Sequence, residues 1–270
     1  MLEVQEVKKT FNRGTPDQVC ALQGIDLTIY AGSFVVVIGT NGSGKSTLLN
    51  AVAGTFRVDS GTISLGGVNI TRWSEHQRAR LIGRVFQNPF SGSAANMSIA
   101  ENLALAARRG RPHRLGWLLD RQVRSELQAR VRRLNMGLED RLESPIGLLS
   151  GGQRQALTLL MATWLKPELL VLDEHTTALD PKSADQVIEF TDEIVEREKL
   201  TTLMVTHSMN QAANLGDRLV MMHRGRIIQD FQGAERRRIR VDDLLARFEE
   251  VRRADQLDES AAEMLRRTYV

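Results

Sequence analysis

Four short segments carry apolar side chains at nearly every position: FVVVIG (34–39), LLVLDE (169–174), TTLMVTH (201–207) and RLVMMH (218–223). Each is strand-length, so each is expected to be a strand covered on both faces. Between them lie KSTLLNAVAG, SADQVIEFTDEIVEREK and SMNQAANLG, whose patterns are helical. This alternation predicts an α/β fold with a mainly parallel sheet. The start differs, because LEVQEV and IDLTIY alternate like half-exposed antiparallel strands. From roughly 90 to 150 the pattern turns helical, through AENLALAARR and DRQVRSELQARVRRLNM, without a convincing strand. The reading is a core over 1–235, with a helical subdomain at about 90–160 inserted in it. A tail, 236–270, carries the stripe Val241, Leu244, Leu245, Phe248 and Val251, with Asp242 near the helix start. That stripe is expected to pack against the core.

Composition narrows the class. The chain has 270 residues, 42% hydrophobic and 26% charged, ordinary for a soluble globular protein with a real core. A net charge of +3 does not argue for nucleic acid. The single cysteine, Cys20, excludes an internal disulfide, suggests a reducing compartment and is expected to be a small buried apolar residue. The beginning, MLEVQEVKKTF, lacks the features of a signal peptide, and no apolar run approaches the ~18 residues of a membrane span.

The chemistry begins at GTNGSGKS, Gly39 to Ser46, which matches GxxxxGK[ST] between a strand pattern and a helix pattern. Gly39, Gly42 and Gly44 let the backbone curl round a phosphate, and the helix beginning near Lys45 aims its positive end at the same anion. Lys45 is expected on the β- and γ-phosphates, and the Ser46 hydroxyl on Mg²⁺. LLVLDE brings Asp173 to a strand's carboxyl end, where it would hold Mg²⁺, and Glu174 one position on, where it would polarise the attacking water. His175 completes what looks like a cluster of three. Neighbouring side chains on a strand alternate in direction, however, which favours a structural role for it.

LSGGQ, Leu149 to Gln153, is similar to the signature of ATP-binding cassette (ABC) ATPases. Phe11, GTNGSGKST, Gln87 in VFQNP, LSGGQ, LLVLDE, TTALDP and His207 in VTHS appear in that family's order, over about 2–230. The resemblance implies a P-loop NTPase core and ATP with Mg²⁺ as ligands. In it, Phe11 would stack on adenine, the alternative being packing of the first hairpin. Thr40, Asn41, Ser43 and Thr47 would complete the phosphate loop. Gln87 would touch Mg²⁺ and the attacking water, and His207 the γ-phosphate. Ser150, Gly151, Gly152 and Gln153 would bind the γ-phosphate held by a partner subunit, and Asp180 would cross to that subunit. Two departures stand out: Met161 in RQALTLLMAT, where arginine is frequent, and His175, where proline is usual.

Each motif occurs once, so the resemblance implies a head-to-tail dimer with a second copy or a homologous ATPase subunit. Nucleic-acid and ribosome-acting relatives carry paired cassettes, a long coiled coil or zinc-binding cysteines, for which this chain lacks room or residues. The expected role is therefore the motor of a transporter at the cytoplasmic face of the inner membrane, peripheral to separate permease subunits. Importer ATPases are often free-standing, and DEHT with RQALTLLMAT resembles importers paired with amino-acid-type substrate-binding proteins. An exporter or extraction motor is the alternative. The arginine-rich stretch from Ala107 to Arg133 would face membrane subunits or headgroups, or form a solvated helix face with Leu115, Trp117, Leu118 and Leu127 turned to the core. No aromatic interleaving accompanies it, so no nucleic acid is expected.

Overall fold

Alternation along single strands divides the core in two. In β3 (Phe34–Gly39), Phe34, Val36 and Ile38 point into one hydrophobic cluster, while Val35 and Val37 point into another. β7 (Leu169–Asp173) repeats the split, with Leu170 and Leu172 on the first side and Leu169 and Val171 on the second. Both strands are buried on two faces, as their continuous apolar runs require. These relations come from a computed structural model that describes residues 1–110 and 121–253.

The elements run β1 (Leu2–Phe11), β2 (Val19–Ile29), β3, α1 (Lys45–Ala53), β4 (Ser60–Leu65), β5 (Val68–Asn69), α2 (Glu75–Arg78), β6 (Ile82–Val85), α3 (Ile99–Ala107) and α4 (Arg121–Arg132). After a short 3₁₀ turn come α5 (Gly151–Thr163), β7, α6 (Pro181–Glu198), β8 (Thr202–Val205) and α7 (Met209–Asn214). β9 (Arg218–His223), β10 (Arg226–Gln232), α8 (Gly233–Arg238) and a last helix over 241–253, here α9, follow.

A six-stranded sheet has the order β10-β9-β3-β8-β7-β6, parallel from β9 to β6 with β10 antiparallel at one edge. A second sheet, β2-β1-β4-β5, is antiparallel and packs with α1 on one face of the first. The opposite face carries α3, α4, the 3₁₀ turn, α5 and α6. The α/β fold with an antiparallel start agrees with expectation.

Several features did not follow from pattern. β6 is four residues, IGRV, with a glycine and an arginine inside, so no apolar run marks it. β10 pairs with β9 through Arg224 and Gly225, whose φ values of 44° and 74° suit a two-residue hairpin turn. Cys20 is exposed rather than buried, because it lies where β2 leaves the sheet's covered region, with the Thr10 hydroxyl 3.7 Å from its sulfur.

In α9, Leu244 is buried and Phe248 packs against the core, but Leu245 is 47% exposed. The carboxylate that closes the start of α9 is that of Asp243, which accepts from the Arg240 N–H at 2.9 Å, and not that of Asp242. Leu127 is buried as expected, whereas Leu115, Trp117 and Leu118 lie outside the described residues, as does the tail beyond 253.

Candidate active site

β3 ends on Gly39 and α1 starts on Lys45, so the phosphate loop is the connection between a buried strand and a helix. Its glycines are dictated by sterics. A Cβ on Gly39 would sit 2.2 Å from the Met222 carbonyl, and one on Gly44, at φ 97°, 2.4 Å from the Ala21 carbonyl. Gly42, at φ 74°, faces open space.

The Lys45 ammonium donates to the Gly39 and Thr40 carbonyls at 2.9 and 3.0 Å. Burial lowers its pKa, against a raising effect of Glu174. The Ser43 hydroxyl is buried without a protein partner. A cation folded onto its own loop, an orphan hydroxyl and a helix start together fit an anionic ligand.

The loop opens on a cleft of about 500 Å³ lined by Phe11, Asn41 to Thr47, Glu174 and His207. Phe11 forms one wall and meets Phe56 edge-on, with ring centroids 5.3 Å apart. That contact ties the end of β1 to the segment after α1 while leaving Phe11 on the cleft wall.

Asp173 ends β7, and Glu174 leaves it in the left-handed region at φ 46°. That backbone is held by the Glu174 N–H, which donates to the Val205 carbonyl of β8 at 2.9 Å. The Glu174 side chain is nearly buried and both its oxygens are engaged. His207 Nε2 lies 2.5 Å from Oε1, and Gln87 Nε2 donates to Oε2 at 3.1 Å. Three residues far apart in sequence thus meet on one carboxylate.

His175 turns the other way. It is wholly buried, with Nε2 3.0 Å from the Thr191 hydroxyl of α6. The Thr191 hydroxyl donates to the Val187 carbonyl at 2.7 Å, so Nε2 must carry the proton and Nδ1 is the bare acceptor. Burial pushes the imidazole pKa down to about 4. Among the described residues no group of three or more His, Cys, Asp or Glu is arranged to hold a metal ion.

Two features escaped sequence reasoning. Arg84, inside β6, lies 3.4 Å from the Asp173 carboxylate and donates to the Asn50 side chain at 2.6 Å. Burial raises the Asp173 pKa, and Arg84 opposes that rise through its charge and hydrogen bond. An arginine interrupting an otherwise buried strand was the available signal. The second feature is Gln211 of α7, which bonds the turns on both sides of the cleft floor.

The signature residues are not in the cleft. Ser150 caps α5 by accepting from the Gln153 N–H at 3.2 Å, while Gln153 Oε1 accepts from the Ser150 N–H at 3.2 Å. Gly152 needs its lack of Cβ, which would fall 2.6 Å from the Ser183 Cβ of α6. Asp180 caps α6 by accepting from the Ser183 N–H at 3.1 Å. Ser150, Gln153 and Asp180 are therefore tied to their own helix starts.

A phosphate loop facing a strand-end Asp-Glu pair and a histidine defines a nucleoside-triphosphate-hydrolysing P-loop protein. The family model described as ABC transporter matches residues 22–177. A tyrosine transport ATP-binding protein of Clostridioides difficile is 39% identical over 249 residues, 92% of this chain and 99% of that protein. A lipoprotein-releasing system ATP-binding protein of Caulobacter vibrioides is 36% identical, covering 82% of this chain and 92% of that one. Among solved structures, the ADP conformation of the ABC transporter cassette MJ1267 is 25% identical, with a TM-score of 0.73 over 91% of this chain and 94% of that one. The chain belongs to the ABC transporter ATP-binding family. It is an ATPase and the ATP-binding subunit of a transporter.

Proposed function

We propose that this chain is the motor of an importer for an amino-acid-type substrate, working as a dimer beneath separate membrane subunits. The observation that carries the import reading is the 39% identity to a tyrosine transport ATP-binding protein over that protein's whole length. A methionine import ATP-binding protein of Rhodopseudomonas palustris, 35% identical over 84% of this chain, points the same way. Among the described residues no helix is long and apolar enough to cross a membrane, which is consistent with a peripheral subunit on separate permeases at the cytoplasmic face.

In this reading ATP lies in the cleft between Phe11 and the phosphate loop. Gly39 to Thr47 surround the phosphates with N–H groups, and Lys45 exchanges its loop carbonyls for phosphate oxygens. The oxygens of Ser46, Asp173 and Gln87 suit a hard cation, since Gln87 spends its amide nitrogen on Glu174 and keeps Oε1 to offer. Bound there, Mg²⁺ would neutralise developing charge on the β- and γ-phosphates.

Glu174 takes a proton from water as the water oxygen bonds to the γ-phosphorus. The bond to the β,γ-bridging oxygen breaks, giving ADP and phosphate. His207 orients the Glu174 carboxylate and reaches the γ-phosphate from the β8 side. Ser150 to Gln153 and Asp180 act on the nucleotide of the second copy, an arrangement supported by the dimeric structure of the cassette MJ0796, 26% identical with a TM-score of 0.70.

The likeness to a lipoprotein-releasing ATP-binding protein favours an extraction motor as the second reading. Purification of the tagged chain from membranes in mild detergent separates the two. A permease with an amino-acid receptor is the expected catch, and a lipoprotein-releasing membrane complex would replace the import reading.

A further inference from the structure

The structure assigns Gln211 as a positioning residue that sets the distance between Glu174 and His207. This rests on the reading of that pair as the hydrolytic pair. β7 and β8 are adjacent and parallel, paired from Leu170↔Thr202 to Asp173↔Val205, and the Glu174 N–H adds one bond to Val205. Past that bond the two chains part, one into the turn before α6 and the other into α7. The two catalytic side chains stand where the backbone ladder has run out.

Gln211 rejoins the turns beyond it. Its Nε2 donates to the Thr176 hydroxyl at 2.9 Å, two residues after Glu174. Its Oε1 accepts from the Thr206 hydroxyl at 2.6 Å, one residue before His207. Both threonines are buried, at 6% and 2% exposure, so water does not compete for them.

The polarity of the chain is set from the backbone outward. The Ser208 N–H donates to the Thr206 oxygen at 3.0 Å, which leaves the Thr206 proton for Gln211. That fixes the amide with its oxygen on Thr206 and its nitrogen on Thr176. The Gln211 backbone is itself held, its N–H donating to the Ser208 hydroxyl at 3.3 Å. One side chain therefore spans the gap between the base and the histidine, from a position that lines neither the loop nor the cleft.

Displacing a reacting group by an ångström costs up to about 10²-fold in rate without weakening ground-state binding. Gln211→Leu is thus expected to lower kcat about tenfold, with KM and Kd for ATP within twofold of wild type. Gln211→Glu keeps the bridge, because a carboxylate accepts from both threonine hydroxyls once Thr176 rotates, and should recover kcat to within threefold. Thr176→Val cuts the bridge from the other end, and the Thr176→Val, Gln211→Leu double variant should be no slower than the slower single. It also serves if Gln211→Leu does not fold.

Three results would overturn the assignment: kcat within twofold of wild type in both bridge-cutting variants, a kcat loss matched by lost ATP affinity, or a Glu variant no better than the Leu variant. A Glu174→Gln control separates the two layers. Retained hydrolysis there removes the reading of the pair, whereas abolished hydrolysis beside an unaffected Gln211→Leu removes only this inference.

Discussion

The cleft and the start of α5 are both proposed here as anion sites built on helix N-termini, yet they are finished to different degrees. In the cleft a buried cation, a nearly buried carboxylate and a histidine converge from β3, β7 and β8. At α5 the polar groups satisfy one another through a capping box, and Ser150 is exposed. The first is a pocket and the second is a surface. That contrast, an open pocket and a separate exposed helix start, is what the dimer proposed above would bring together.

Substitutions that strike one region and spare the other break this contrast most directly. Glu174→Gln removes the base without altering the loop, so turnover should fall by about 10²–10⁴-fold while ATP binding persists. Phosphate release and equilibrium binding together check this, and unimpaired hydrolysis would refute it. Lys45→Ala should instead act on binding, raising the Kd for ATP about tenfold to a hundredfold, as losing a charge-assisted hydrogen bond does.

Gly152→Ala tests the other region. Its new Cβ must push against Ser183, displacing the start of α5, so hydrolysis should drop about tenfold while each chain binds ATP with its wild-type affinity. Lost ATP binding in that variant would erase the distinction between the two regions.

The smallest effect on turnover is expected at His175, which stands beside the cleft and outside it. His175→Pro should leave hydrolysis within about threefold, since the His175 imidazole is buried against Thr191 and does not line the cleft. Stability tells more. The folded imidazole has a pKa of about 4 against an ordinary 6.5, so below pH 6.5 the unfolded chain takes up a proton that the folded one refuses. Wild-type stability should therefore decline by about 3 kcal/mol between pH 6.5 and pH 4, relative to His175→Pro. Denaturant titrations at both pH values check the difference. Equal slopes would mean the imidazole is not buried neutral.

The phosphate loop, the strand-end acids and the signature were legible because each is a short local pattern whose spacing reflects backbone geometry. The structural role expected for His175 agrees with its burial against Thr191, but not through strand alternation, which puts residues two apart on one face: β7 ends at Asp173, and the left-handed backbone of Glu174 redirects the chain before His175. What stayed hidden depends on contacts between segments. Nothing local marks Arg84 as the neighbour of Asp173, because that pairing exists only once β6 lies beside β7. Gln211 reads as an ordinary helix residue until α7 brings it over Thr176. Cys20 was misjudged on residue type alone, at a position where the sheet offers no cover.

Glu174 carries one further consequence through its backbone. A side-chain-bearing residue at φ 46° sits in a conformation that costs about 1–2 kcal/mol relative to its common alternatives. The ladder bond to Val205 and the turn bond from the Thr177 N–H to the Glu174 carbonyl hold its backbone there. Glycine would rest at this spot more comfortably, and no glycine could take a proton. In the proposed mechanism, the carboxylate at this spot therefore comes with a backbone cost that glycine would not incur, a trade of stability against activity.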